Sequence, residues 1–377
     1  MTILIHLFPM IIYLFVFSIS LLMLNWASGN RQIRTSRWFL LYLLLALFPP
    51  IFLAAARSPE IGTDTSNYLY FFHEVVNQKV TYVSFVESHL NVEQGFLLFV
   101  YLFGQLFRND LWFLFATHCL VLIPLFYAGY KLKNMVSLPF ALFFFLFLFY
   151  NESLNLMRQY IAMSFIVLAV VYMILNKKIK CIIVTIIAIS FHYTAVISIL
   201  IFLIYYLCKK FPINKYVITY FVLLAFLIYS LVNIASYLDI IFPSGSDYSE
   251  KYAEYLTGQT GNISSLSTAI VYASIAGVLF VRRKRFDSHQ FDFFFLLALL
   301  AFLFNFLSMY SKTLYRMSLY FSLFACLSMP IVFRRMKYRF DVITIFMELL
   351  AVAYWYFAVV VHGSNQTYPY VSTFLID

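Results

Sequence analysis

The sequence runs to 377 residues, 63% of them hydrophobic and only 11% charged, with a formal net charge of +10. A soluble domain carries about 25% charged residues to hydrate its surface, so a soluble enzyme or nucleic-acid-binding domain is excluded. Apolar runs of about 20 residues recur along the chain, long enough to cross a hydrocarbon core of about 30 Å, and in lipid such runs must be helices.

The predicted fold is therefore all-α: a polytopic transmembrane bundle of about 10–12 helices, read as a single integral membrane domain over 1–377. Crossings are expected at about 3–24, 37–56, 111–130, 137–150, 157–175, 215–235, 265–281, 291–310, 313–333 and 340–362. The first run lacks a basic leader and a small-residue cleavage site, so it reads as a retained helix rather than a signal peptide. The run 95–107 is short for a crossing and is a candidate re-entrant segment. The run 180–207 is long for one crossing and carries His192 near its middle. It is either two short limbs meeting near Phe191-His192 or one long tilted helix.

Basic clusters orient the chain. They lie at Arg31/Arg34/Arg37, Lys131/Lys133, Lys177/Lys178/Lys180, Lys209/Lys210/Lys215, Arg282 to Arg285 and Arg334 to Arg339. Placed in the cytoplasm, they put both termini outside. The two longest polar stretches, 57–94 and 236–264, then become external loops, expected to lie across the outer face as short amphipathic helices. The lysines and arginines are explained by topology, without nucleic acid. The four cysteines show no paired spacing, so neither a disulfide framework nor a zinc site is expected. No metal-ligand cluster, phosphate-binding glycine loop or nucleophile elbow is present either.

Ionisable residues within or beside membrane helices are costly, which makes each a functional candidate. Arg57 ends the second run, Arg158 begins the run at 157, and Arg316 lies about one turn into the run at 313. On this topology all three fall on the outer side, against the usual bias of positive charge. Their planar forks match phosphate oxygens, so a lipid-linked pyrophosphate is a sensible partner. Asp64 and Glu93 bracket the first external loop; they either pair with arginines and cap helices, or bind sugar hydroxyls. His192, deep in an apolar run among small and hydroxylated residues, is a candidate base near neutral pH.

The stretches RSPEIGTDTSNYLYFF, NVEQGFLLFVYLFGQLF, NLMRQYIAMSF, ISFHYTAVISILIFLIYYL and YPYVSTF, in that order, resemble the EpsG family of Wzy-like polysaccharide polymerases. The resemblance implies a GT-C-like membrane glycosyltransferase in the bacterial inner membrane, with its site facing the periplasm or exterior. Such an enzyme joins undecaprenyl-pyrophosphate-linked repeat units into O-antigen, capsule or exopolysaccharide, needs no metal or other cofactor, and works beside a chain-length regulator. On this reading Arg158 and Arg316, assisted by Arg57, hold the pyrophosphate. His192 or Asp64 accepts the proton of the attacking hydroxyl, and Glu93, Tyr68 and Tyr315 contact the glycan. A lipid-linked oligosaccharide flippase is the rival from another class, although the midplane breaks and internal repeats common in transporters are not visible. A related glycan ligase shares nearly every feature used here.

Overall fold

The structure, a computed structural model, describes residues 2–78, 80–213, 215–216, 218–220, 223, 263–283, 288–309, 312–334 and 341–375. Among these the protein is an all-α polytopic bundle. Seven helices are long and apolar enough to cross a membrane, and several shorter apolar helices accompany them. The expected crossing at 215–235 and the polar loop 236–264 lie almost wholly outside the described residues. The chain forms two compact units, 1–198 with 325–377, and 199–324. Hydropathy continues unbroken through residue 198, so nothing in it marks the divide.

In the first unit the helices are α1 (Thr2–Gly29), α2 (Arg31–Thr35), α3 (Phe39–Ala55), α4 (Thr65–Gln78), α5 (Tyr82–Ser88), α6 (Gln94–Leu106), α7 (Asp110–Lys131), α8 (Leu138–Leu148), α9 (Tyr150–Asn155), α10 (Met157–Ile174) and α11 (Lys178–Phe191). Helices α3 and α7 are antiparallel: Phe39 meets Tyr130 and Phe48 meets Phe115, each pair about 6.0 Å between ring centroids. The end of α3 and the start of α7 therefore share one end of the bundle. Helices α4 to α6 leave from the first and return to the second, so α6 packs at that end and does not cross. It runs alongside α4, with Phe96 against Tyr68 and Gly104 against Val75. This resolves the short run at 95–107 as a helix packed beside α4, with Leu98, Leu102 and Leu106 exposed on its outer side.

The run 180–207 is broken at His192, whose backbone is extended (φ −158°, ψ 120°). Helix α11 ends before it, and a single-turn 3-10 segment, Tyr193–Ile197, leads into α12 (Ser198–Lys210). Two limbs, rather than one tilted helix, make up this stretch.

The second unit contains α12 beyond Ser198, α13 (Ile263–Val281), α14 (Ser288–Leu307) and α15 (Lys312–Ser322). Tyr205 packs edge-on against Phe293 of α14, and Asn305 on α14 donates to the Ser322 hydroxyl of α15 at 3.3 Å. The chain then re-enters the first unit through α16 (Ala325–Arg334) and α17 (Val342–Trp355).

Lipid provides no hydrophobic drive between helices, so packing and hydrogen bonds must hold the bundle. Two features do this at the α3 end. Tyr13, Phe17, Tyr150 and Trp355 meet edge-on, with centroids 5.2–6.2 Å apart. Over them the C-terminal segment folds back. Tyr13 donates to Thr367 O at 2.7 Å, Asn151 to the Thr367 hydroxyl at 2.9 Å, and Tyr370 to Leu53 O at 2.8 Å. The Ser58 amide bonds Val371 O, the Thr373 amide bonds Ala56 O, and the Gly62 amide bonds Gln366 O.

Arg57 lies at the centre of this arrangement and has 0% of its surface exposed. Its guanidinium donates to Ala54 O, to Leu154 O at 3.1 Å and to the Thr65 hydroxyl at 3.5 Å, and touches the Met157 sulfur. The sequence set Arg57 among the pyrophosphate ligands. Here it is enclosed by backbone carbonyls, presents no face to a ligand, and ties α3 to the start of α10. Arg57→Met is expected to destabilise the protein by about 1–3 kcal/mol for each carbonyl left without a donor. Thermal unfolding of the detergent-purified protein, followed by size-exclusion recovery, checks this; an unchanged midpoint with lost activity would return Arg57 to a ligand role.

Candidate functional site

The arrangement at the α3 end follows from local rules. Gly62 adopts φ +91°, a left-handed conformation that suits glycine, and turns the chain from Arg57 into α4. Asn155 at the end of α9 holds this turn: its Oδ1 accepts from the Thr63 hydroxyl at 2.7 Å and the Asp64 amide at 2.8 Å. At the start of α6, a Cβ on Gly95 would lie 2.6 Å from Ser190 O. Only glycine lets the first turn of α6 lie this close to the last turn of α11. That contact places Glu93, just before α6, beside His192, just after α11.

Glu93 forms the N-cap of α6 yet makes no side-chain cap to it. Its carboxylate bridges two other elements instead. One oxygen pairs with the Arg158 guanidinium at the start of α10. The other accepts from His192 Nδ1 at 2.7 Å and from the Tyr193 amide at 3.3 Å. A cation in the first turn of α10 works against the helix dipole, so Arg158 needs such a partner. The rings of Phe96 and Tyr68 add cation–π contacts, 5.5 and 5.9 Å from the guanidinium carbon.

Exposure divides the roles within this trio. The Glu93 side chain is 5% exposed, His192 15% and Arg158 25%. The carboxylate is buried between its partners, while the arginine and the histidine reach the surface. Of the two readings open for Glu93, the structure shows the arginine pair, with His192 held by the second carboxylate oxygen. The geometry is that of a histidine with one ring nitrogen fixed by a carboxylate, next to an arginine able to stabilise an oxyanion.

The remaining sequence candidates are distributed as follows. Tyr68 is buried in α4 under Arg158. Asp64 is half-buried; its backbone, not its carboxylate, is what Asn155 holds. Arg316 and Tyr315 lie on α15 in the second unit and are half-buried there. Among the described residues no three His, Cys, Asp or Glu side chains gather as a metal site requires.

Sequence reasoning offered an arginine pair for Glu93 but missed its bond to His192, the Gly95–Ser190 approach, and the bonds of Asn151 to Thr367 and Asn155 to Asn365. A carboxylate directly before a glycine-led apolar helix, in NVEQGF, was the available signal for the first two. The third had none, since asparagines on a short helix carry no information about a partner more than 200 residues away.

The EpsG family model matches residues 39–372, nearly the whole chain, and the chain belongs to the EpsG family. Membership supports a polymerase-like role in polysaccharide assembly in general terms. No curated protein and no solved structure matches the chain.

Burial alone would raise the pKa of Glu93, but the hydrogen bond from His192 and the charge of Arg158 prevail and hold it below the usual carboxylate range. A depressed carboxylate stabilises the fold above its unfolded pKa, and that contribution disappears as pH falls through the folded value. The thermal midpoint of the wild type should therefore fall more steeply than that of Glu93→Gln as pH drops through about 5 to 3. Parallel curves for the two proteins would refute the coupling.

Proposed function

We propose that this EpsG-family chain is a polysaccharide polymerase that joins undecaprenyl-pyrophosphate-linked repeat units at the outer face of the bacterial inner membrane, by glycosyl transfer without a metal. What carries the reading is the Arg158–Glu93–His192 trio, a cation and a carboxylate-oriented histidine together at one end of a membrane bundle.

In this mechanism a sugar hydroxyl of the acceptor unit attacks the anomeric carbon of the lipid-linked chain. The new C–O bond forms as the bond to pyrophosphate breaks, and undecaprenyl pyrophosphate leaves. Arg158 pairs with the pyrophosphate oxygens and stabilises the charge that develops on them. His192, its Nδ1 proton held by Glu93, takes the hydroxyl proton at Nε2. Glu93 keeps the ring in the required tautomer and stabilises the imidazolium that forms, so it acts as a positioning residue. Of the two bases that the sequence left open, His192 is preferred because it has an orienting partner and Asp64 has none. The chain-length regulator and the lipid-linked donor and acceptor follow as partners on this reading.

Surface polysaccharide resolved on a gel tests the scheme. Loss of the gene should remove the ladder and leave a single repeat on its anchor; loss of that band as well would point to a flippase or ligase. Arg158→Ala and His192→Ala, at wild-type protein level, should lower polymer by about 100-fold or more, and Arg158→Lys should recover only part of it. Asp64→Asn should polymerise near the wild-type rate. A normal ladder from both alanine variants would reject the scheme, and loss of polymer in Asp64→Asn alone would move the base to Asp64.

A further inference from the structure

At the opposite end of the first unit, where α1 and α7 finish and α3 and α8 begin, lies a cavity of about 180 Å³. Its walls include Asn25, Ser28, Arg34, Phe39, Lys133 and Ser137. Two cations face it and no acid. Among the described residues neither Arg34 nor Lys133 forms an ion pair. Lys133 Nζ makes one hydrogen bond, to Arg34 O at 3.3 Å, and rests on the rings of Tyr130 and Phe39 at 4.7 and 5.7 Å. Among the described residues, that leaves ammonium protons without acceptors.

Two further observations point to an anion. The Ser28 hydroxyl is buried without a hydrogen-bond partner, an arrangement that costs free energy unless something outside the chain satisfies it. Helix α8, eleven residues long, starts at the cavity, and Ser137 gives its first turn no side-chain cap; Pro139 there has no amide hydrogen, so the Leu138 and Phe140 amides and the dipole are what favour negative charge at that end. Clustered lysines and arginines at a helix end need no ligand to explain them, because orientation in the membrane requires them. Arg31, Arg37 and Lys131 fit that description. Arg34 and Lys133 differ by lining one open-mouthed cavity together with donors that, among the described residues, lack acceptors.

We propose that this cavity binds a phosphate group, the phosphodiester of an anionic phospholipid headgroup or a free phosphate. The arginine fork and the lysine supply charge, and the Ser28 hydroxyl with the Leu138 and Phe140 amides of α8 supply further donors. Exposed Trp26 and Trp38 lie on the neighbouring helix ends, Trp38 beneath the Arg37 guanidinium. Tryptophan at this level marks the lipid interface, which favours the headgroup as the source.

The test uses the purified full-length chain in neutral detergent, titrated separately with phosphatidylglycerol, phosphatidylcholine and inorganic phosphate, with the thermal midpoint as readout. Saturable stabilisation by phosphatidylglycerol but not by phosphatidylcholine is expected, about tenfold weaker in Arg34→Gln/Lys133→Gln and unchanged in Arg37→Gln/Lys131→Gln. The second pair removes the same charge from the same face outside the cavity. Saturation by inorganic phosphate alone, lost in the first pair only, would support the site with a free anion as its ligand. Equal affinity in the wild type and the first pair, equal loss in both pairs, or no stabilisation by either anion would overturn the proposal.

Discussion

The buried guanidinium of Arg57 is the interaction on which the rest of the α3 end depends. It reaches carbonyls on both α3 and α9, so it fixes the distance between the end of one membrane helix and the start of another. In hydrocarbon an open backbone carbonyl has no water to turn to. A cation with several fixed donors is one of few side chains that can satisfy such groups where a helix stops inside the bundle. The C-terminal segment completes the arrangement, since Tyr370 and Thr373 meet the carbonyls of Leu53 and Ala56. Every residue of the candidate site is attached to this clamp through α4, α9 or α10, or packs on elements that are.

Arg57 and Arg158 show how little residue type alone decides. Both sit at the end of an apolar helix on the same side of the bundle. Arg57 meets only backbone and neutral side chains, so its charge is used internally. Arg158 meets a carboxylate and two aromatic faces and keeps a quarter of its side chain exposed. A buried ion pair is weak as a source of stability, because desolvation offsets most of the Coulomb gain. An ion pair placed at the edge of burial and shared with a histidine is better explained by orientation.

The helical class, several of the long apolar helices and the break near His192 were legible in the sequence because each rests on hydropathy or on the arithmetic of length. The layer α4 to α6 was partly legible: α6 is apolar enough to resemble a failed crossing, and only its packing beside α4 gives its direction. An arginine partner for Glu93 was one open reading, but which arginine it is, and the histidine beside it, could not be read. Arg158, Glu93 and His192 are separated by 65 and 99 residues, and the glycine that brings them together acts through a backbone approach that no periodicity records. Arg57 misled for a related reason, since an arginine after a membrane helix looks the same whether it faces water or carbonyls.

The division of labour in the trio constrains any mechanism built on it. Were Glu93 itself to accept a proton from substrate, the pair with Arg158 and the hydrogen bond to His192 would both weaken at the moment of transfer. Its partners hold its pKa down, which makes it a poor proton acceptor near neutral pH. Those same partners make it a good anchor, because a charge that stays on Glu93 stabilises whatever positive charge appears on His192. A proton arriving at Nε2 strengthens the bond at Nδ1 at that moment, and the imidazolium then stands beside Arg158 with one carboxylate shared between them. Two cations and one buried anion would leave a net positive charge at the surface of the site, the sign that suits an anionic ligand or leaving group.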